Sequence, residues 1–106
     1  MPQRYIRGVV VSGTGQASAH TVGAFPHFPG SLNVFVGRHE RNRLKDGAPE
    51  QFESTRSVDR YRRATLFDQP VWVGFSRDRE TIEIFSEHHL RATHGLRDGD
   101  RIKVYL

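Results

Sequence analysis

Short apolar segments rich in β-branched and aromatic residues recur along the chain, and turn residues end each of them. RYIRGVVVSG predicts a strand over about residues 5–11, and SLNVFV and ETIEIF predict two more. DRYRRATLFDQPVWVGF predicts two strands joined by a tight turn, and LRDGDRIKVYL ends in a last strand. Tight turns are predicted at residues 68–70 and at Asp98-Gly99. Because helices do not alternate with these strands, the pattern favours a small barrel over a layered α/β fold.

One short helix is predicted near the C-terminus. Ser86 can cap the segment EHHLRATHG, and Gly95 is typical of the left-handed residue that ends a helix. The segment 37–57, GRHERNRLKDGAPEQFESTRS, is polar and lacks periodicity, so it is either a functional loop or contains a short strand near Phe52. We therefore expect a mainly β, six-stranded barrel with one short helix, forming a single domain over residues 1–106.

Length and residue content exclude several classes of protein. A chain of 106 residues suits one domain with a single core. Since it has no cysteine, disulfides and thiolate metal sites are excluded, and oxygen or imidazole must hold any metal. No stretch approaches the roughly 20 apolar residues that span a membrane, and MPQRYIRG lacks the apolar region of a signal peptide. We expect a cytoplasmic protein without membrane contact, as a monomer or weak dimer.

The charge of the chain favours an anionic ligand. The net charge is +4, and Lys45 and Lys103 are the only lysines, so arginine carries most of the positive charge. The planar arginine fork binds phosphate oxygens bidentately. A nucleotide and a nucleic acid fit this composition equally well, and a charged, solvated surface with no ligand is the alternative.

Two short motifs contain residues suited to phosphate and metal binding. In SGTGQAS, the backbone at Gly13 and Gly15 can approach a phosphate and Thr14 adds a hydroxyl, although paired glycines after a strand often form only a turn. In PGSLNV, Ser31 and Asn33 share one strand face and offer two oxygens to Mg²⁺. Alternatively, Ser31 closes the Pro-Gly turn and Asn33 bonds to nearby backbone.

Three segments in this order resemble the archaeal CTP-dependent riboflavin kinases. They are GVVVSGTGQA, PGSLNV and IEIFSEHHLRATHGLRDGDRIKV, and together they cover about half of the chain. The resemblance implies a cradle-loop, RIFT-like barrel of six strands. It also implies transfer of the terminal phosphate of CTP to the 5′-hydroxyl of riboflavin, giving FMN and CDP, with Mg²⁺ beside the phosphates.

The resemblance implies roles for two residues of the PGSLNV motif. Ser31 stands where the family usually has threonine, and Asn33 matches the asparagine of the family, so both are expected magnesium ligands. From their own chemistry rather than from the resemblance, Gly13, Thr14 and Gly15 are candidates to bind the nucleotide.

Two residues of the third segment are further candidates. Glu83 is the candidate catalytic carboxylate that orients the riboflavin hydroxyl, because Ile82 and Ile84 define the opposite face of its strand. The alternative is an outward glutamate balanced by arginine. Arg91 is expected to bind the nucleotide, or else to anchor the helix.

Aromatic residues offer flat faces that could stack on a flavin or pyrimidine ring. The candidates are Phe25, Phe28, Trp72 and Phe75, and packing in the core is the alternative for each.

One departure from the family keeps other functions open. The segment between Gly15 and Pro29 is shorter than in the archaeal enzymes, where it forms part of the ligand cradle. A shortened nucleotide-binding relative is therefore one alternative. Another is a non-catalytic barrel that binds nucleic acid or another anionic partner through its arginines. A third is an interaction module in which the segment 37–57 docks a partner.

Overall fold

The computed structural model describes residues 4–12, 32–47, 52–54, 60–75 and 80–106. These ranges contain seven strands and two short helices. The elements in chain order are β1 (Tyr5–Val11), β2 (Leu32–Phe35), α1 (Arg38–Lys45), β3 (Phe52–Ser54), β4 (Arg60–Leu66), β5 (Gln69–Phe75), β6 (Thr81–Phe85), α2 (Leu90–His94) and β7 (Arg101–Tyr105).

Six antiparallel strands close into a barrel. The strands are hydrogen-bonded in the order β3-β4-β5-β6-β2-β1-β7, and an additional pairing of β4 with β7, at Thr65 and Tyr105, completes the ring. β3 lies outside the closed ring and pairs with β4, with Phe52 opposite Arg62. The predicted six-stranded β-barrel is confirmed, and the described residues also contain β3, outside the ring, and a second short helix.

The order strand, strand, helix, strand occurs twice in the barrel. The first half is β1-β2-α1-β4, with β3 inserted before β4, and the second half is β5-β6-α2-β7. The halves meet where β2 pairs with β6, and the same neighbour relations recur on both sides of that pairing. An approximate two-fold relation follows from this topology, and it places α1 and α2 at opposite ends of the barrel.

The core fills the barrel interior, because alternate residues of each strand point inward. β1 shows this alternation clearly, with Ile6, Gly8 and Val10 buried between exposed or half-buried neighbours. Further buried core residues from the other elements are Leu32, Val34, Val36, Leu44, Ala64, Leu66, Val71, Val73, Ile82, Ile84, Leu90, Ile102 and Val104.

The tight turn between β4 and β5 lies one residue earlier than predicted. Leu66 and Gln69 are the last register pair, so the two loop residues are Phe67 and Asp68. Their φ angles are 50° and 61°, which is the positive-φ geometry of a two-residue hairpin turn. Pro70 belongs to β5, opposite Thr65.

The C-terminal helix begins later than predicted. α2 starts at Leu90 with His89 at its N-cap, and the Ser86 hydroxyl instead accepts a hydrogen bond from the His88 N–H at 3.1 Å. Gly95 has φ 62° at the end of α2, so the predicted left-handed glycine is confirmed. The Asp98-Gly99 turn and the final strand are also present.

The segment 37–57 contains the predicted strand near Phe52, as β3, and also the unpredicted helix α1. Glu40 in the first turn of α1 and basic residues in its last turn match the helix dipole. Arg41 and Leu44 are the buried residues of this helix. Because one of these two positions is an arginine, the helix lacks an apolar periodicity that sequence could reveal.

Candidate functional site

Asn33 and Glu83 lie directly opposite each other on neighbouring strands. The register pairs Asn33 of β2 with Glu83 of β6, and Asn33 is also the partner of Val11 at the end of β1. The side chains of an opposed antiparallel pair share one face, with Cβ atoms about 4.5–5.5 Å apart. Since Leu32, Val34, Ile82 and Ile84 point into the core, this face is the outer surface of the barrel.

A glycine continues the same row on the next strand. Gly74 of β5 is the register partner of Glu83. A Cβ atom at Gly74 would lie 3.0 Å from ring carbons of both Phe85 and Tyr61. The two rings therefore pack closely over the backbone beside Glu83, where a larger residue would push them aside.

Aromatic rings cover the outer face next to this row. Phe85 is buried, and Tyr61 and Trp72 pack against it; the Tyr61 and Phe85 rings meet edge to face, with centroids 5.5 Å apart. Phe75 instead packs against the barrel core. Trp72 and Phe75 thus lie on opposite faces of β5, so they do not stack on the same ligand ring. Phe25 and Phe28 lie outside the described residues.

Arg91 joins α2 to the end of β1. Its Nη2 donates to the Val11 carbonyl oxygen at 3.0 Å and to Asp98 Oδ1 at 2.7 Å. The Ser12 hydroxyl donates to the other carboxylate oxygen of Asp98. The hydrogen bonds from Ser12 and Arg91 hold the pKa of Asp98 below its ordinary value. These contacts correspond to the anchoring alternative for Arg91, and nucleotide binding by Arg91 stays a prediction.

The hydrogen-bonded group of Ser12, Arg91 and Asp98 includes two residues that sequence reasoning did not select as site residues. Ser12 precedes the glycine motif directly, and Asp98 begins the predicted Asp-Gly turn. Each residue is next to a motif that the sequence analysis used, and this proximity is the sequence signal that could have identified it.

Four of the seven predicted site residues lie outside the described residues, namely Gly13, Thr14, Gly15 and Ser31. Of the other three, Asn33 and Glu83 are adjacent across β2 and β6. Arg91 reaches the same end of β1, because it contacts Val11, the partner of Asn33. The three described residues therefore lie around one end of the β1–β2 pair.

The side-chain oxygen of Asn33 suits a magnesium ion with few protein ligands. Mg²⁺ prefers hard oxygen ligands, keeps several waters and commonly takes one or two protein ligands beside substrate phosphates. The Asn33 amide offers one oxygen of this kind, and Glu83 lies directly opposite it on β6. Within the described ranges there is no group of three or more histidine, cysteine, aspartate or glutamate residues that could hold a metal. The oxygen chemistry of Asn33 is compatible with Mg²⁺, and Mg²⁺ binding by Ser31 and Asn33 stays a prediction.

A second surface combines aromatic and basic side chains on β1 and β7. This surface, called the basic face below, consists of Tyr5, Arg7, Arg101, Lys103 and Tyr105. The register places Tyr5 opposite Tyr105 and Arg7 opposite Lys103, and the two tyrosine rings lie 5.7 Å apart. A hydrogen bond from Arg7, together with the charges of Arg7 and Lys103, lowers the pKa of Tyr5.

Comparison with known proteins identifies one informative similarity. No family model matches the chain. The chain is 32% identical over 91 residues to the riboflavin kinase of Methanopyrus kandleri, and the match covers 78% of this chain. It covers 61% of that protein, so the chain spans about three fifths of the length of the curated relative. This similarity supports a relationship to the riboflavin kinases, in agreement with the resemblance of the three sequence segments.

The described helices are α1 and α2, and neither has the length and apolar character that a membrane crossing requires.

Proposed function

We propose that the chain is a divergent member of the CTP-dependent riboflavin kinases. In this reaction the riboflavin 5′-hydroxyl oxygen bonds to the γ-phosphorus of CTP. The bond from that phosphorus to the bridging oxygen breaks, and CDP leaves with the bridging oxygen. The register pairing of Asn33 with Glu83 carries the proposal, because it puts an expected metal ligand and an expected carboxylate side by side on one face.

Phosphoryl transfer depends mainly on positioning and charge stabilisation, and the proposed residues would have different roles in it. Glu83 would orient the riboflavin hydroxyl and accept its proton as the new bond forms. Asn33 and Ser31 would hold Mg²⁺, which when bound supplies positive charge to the phosphate oxygens. The backbone and hydroxyl of the Gly13, Thr14 and Gly15 motif would bind phosphate.

Arg91 would contribute by keeping its neighbours in place. Its guanidinium connects the Val11 carbonyl to Asp98, and Ser12 is bound to the same carboxylate. The glycine motif begins at the residue after Ser12. Arg91 would therefore fix the point from which the phosphate-binding segment leaves the barrel, and it could contact nucleotide phosphate as well.

The test is production of FMN from riboflavin. The purified protein is incubated with riboflavin, Mg²⁺ and either CTP or ATP, and FMN is separated and quantified by its fluorescence. We expect FMN with CTP and much less with ATP. No FMN with either nucleotide would refute the kinase proposal.

Variants test the assigned residues. Glu83→Gln removes the proton acceptor and is expected to lower kcat roughly 10²–10⁴-fold. Its matched control is Glu87→Gln, which makes the same change at an exposed glutamate outside the strands. Asn33→Ala is expected to raise the Mg²⁺ concentration required for half-maximal activity. Unchanged turnover and Mg²⁺ dependence in both site variants, with the fold intact by circular dichroism, would refute the site.

The basic face favours a second candidate function, binding of single-stranded nucleic acid. Like charges directly opposite each other weaken an antiparallel pair, yet Arg7 faces Lys103. Lys103 Nζ lies 4.9 Å from the centre of the Tyr5 ring. Aromatic rings beside cations provide both base stacking and phosphate neutralisation. Together, these residues would suit a short stretch of single strand.

Fluorescence anisotropy of a labelled single-stranded oligonucleotide would test this candidate over a range of salt concentrations. The logarithm of the binding constant should fall linearly with the logarithm of the salt concentration. Arg7→Gln should reduce the slope, whereas Arg38→Gln, an equal change in charge on α1, should leave it nearly unchanged. No binding at low salt would exclude this candidate.

A further inference from the structure

A pocket lies at the end of the barrel away from Asn33. Its volume is about 580 Å³, within the range of about 300–1,000 Å³ that is typical of small-molecule sites. It lies where β1 begins and where α1 ends. The polar residues that line it are Arg4, His39, Asn42, Arg43, Asp46 and Arg62.

Arg62 is a buried cation in this pocket. Its residue is only 5% exposed, and its side chain points inward from β4, on the same face as Ala64 and Leu66. Its Nη1 donates to the carbonyl oxygens of Leu44 at 2.9 Å and Arg43 at 3.3 Å, at the C-terminal end of α1. Its buried Nε has no hydrogen-bond partner within the part of the chain that the structure describes.

Carboxylates do not neutralise Arg62 within the described ranges. Arg43 pairs with Glu40 at 3.1 Å and Arg91 pairs with Asp98, and neither pair involves Arg62. The carbonyl dipoles at the end of α1 accept hydrogen bonds from the buried guanidinium. Burial, and secondarily the charge of Arg43, lower the pKa of Arg62. A buried charge without a counter-ion is costly, and a bound anion would remove that cost.

The charges around the pocket add to this effect. Three arginines line it, Arg4, Arg43 and Arg62, and Asp46 is the acidic side chain among the lining residues. Glu40 offsets part of the charge of Arg43. An excess of positive charge therefore remains in a concave site, where an anion would contact several donors at once.

We propose that this pocket binds a small molecule carrying a phosphate group. Arginine forks match the tetrahedral oxygens of phosphate and can form paired, charge-assisted hydrogen bonds with it. The volume exceeds that required by a bare ion and suits a phosphate ester of modest size.

This site is distinct from the proposed kinase site. Arg4 precedes β1, whereas Val11, the register partner of Asn33, ends β1. Seven residues of strand separate the two positions by roughly 20 Å. The pocket is therefore a different place from the proposed kinase site, and binding to it can be measured without riboflavin or a nucleotide.

Isothermal titration calorimetry with inorganic phosphate, at constant ionic strength, tests the proposal. We expect saturable binding and a phosphate-dependent rise in Tm. Arg43→Gln should weaken binding about tenfold, because it removes charge-assisted hydrogen bonds. Arg38→Gln is the matched control, since it makes the same change on the same helix without lining the pocket.

Two further variants keep the test decisive. Arg4→Gln alters the pocket from β1 rather than α1 and should also weaken phosphate binding about tenfold. Arg62→Met should abolish the phosphate-dependent rise in Tm, which is readable even if the basal Tm of this variant changes. The proposal is overturned by an absence of saturable binding, by an equal response to acetate, or by equal weakening in Arg38→Gln.

Discussion

Substitution of Gly8 by alanine tests how closely β1 and β2 approach inside the barrel. A Cβ atom at Gly8 would overlap Val34 Cγ1 and would lie 3.1 Å from Val36 Cγ1 and 3.2 Å from the Phe35 carbonyl oxygen. Val34 is fully buried and β-branched, so its side chain cannot readily rotate away. Gly8 is not among the glycines with positive φ, so the alanine backbone itself would be unstrained.

The expected loss of stability follows from two opposing effects. Overfilling a packed core costs about 1–3 kcal/mol, and this overlap belongs near the upper end of that range. Replacing glycine lowers the entropy of the unfolded chain, which stabilises the folded variant by about 0.4–1 kcal/mol. The net destabilisation is therefore about 2 kcal/mol, or a fall in Tm of roughly 8–16 °C for a domain of this size.

Thermal and urea denaturation of a double-mutant cycle provide the assay. Val34→Ala alone removes buried methyl groups and is expected to be destabilising. In the Gly8→Ala, Val34→Ala double variant, the new methyl group partly fills the space. The double variant should therefore be about 1 kcal/mol more stable than the sum of the single effects. Strict additivity, or a Gly8→Ala variant as stable as the wild type, would refute the proposed overlap.

Two other predictions concern turns. The pKa of Asp98 is lowered by folding, so its ionised form stabilises the protein above the ordinary value of 3.8, and this contribution is lost as the pH falls below it. Between pH 6 and pH 3, Tm should fall more steeply in the wild type than in Asp98→Asn, and parallel curves would contradict this. Asp68→Gly should raise stability by up to about 1 kcal/mol, since Asp68 has φ 61°. Denaturation should show a higher midpoint for Asp68→Gly and a lower one for Asp68→Ala.

Local patterns predicted most strands but did not fix every turn. β1 has the expected bounds because its β-branched residues are followed directly by turn residues. The hairpin turn was predicted one residue too late because Pro70 is typical of turns, whereas it lies in β5. Phe67, which occupies the turn, is not a typical turn residue, and its ring packs 4.3 Å from that of His94. Phe67 in this turn therefore packs against α2, a contact that the local sequence does not indicate.

Helix α1 was missed because its buried face is partly charged. Arg41 is 6% exposed, and its guanidinium carbon lies 5.5 Å from the centre of the Phe75 ring. Leu44 is fully buried in the core. Sequence methods that search for apolar residues at helical spacing find only Leu44 in this short helix. The contact that explains Arg41 comes from β5 and is therefore not visible locally.

The sequence predicted individual residues of the candidate site but not how they are arranged. Asn33 and Glu83 were selected separately, from different motifs. Their direct opposition depends on the pairing of β2 with β6, strands far apart in sequence. The roles of Gly13, Thr14, Gly15 and Ser31 remain predictions based on motif and family resemblance. Arg91 belongs to a hydrogen-bonded group with Ser12 and Asp98, two residues that the sequence analysis did not select as site residues.

The twofold order of strands and helices has an evolutionary consequence. Each half-barrel supplies one helix, and those helices carry Arg43 and Arg91 at opposite ends of the molecule. Substitutions at such distances usually have additive effects. Natural variation could therefore alter ligand preference beside α1 while preserving the Asn33–Glu83 pair. The two-fold arrangement thus gives one domain two ends that can diversify separately.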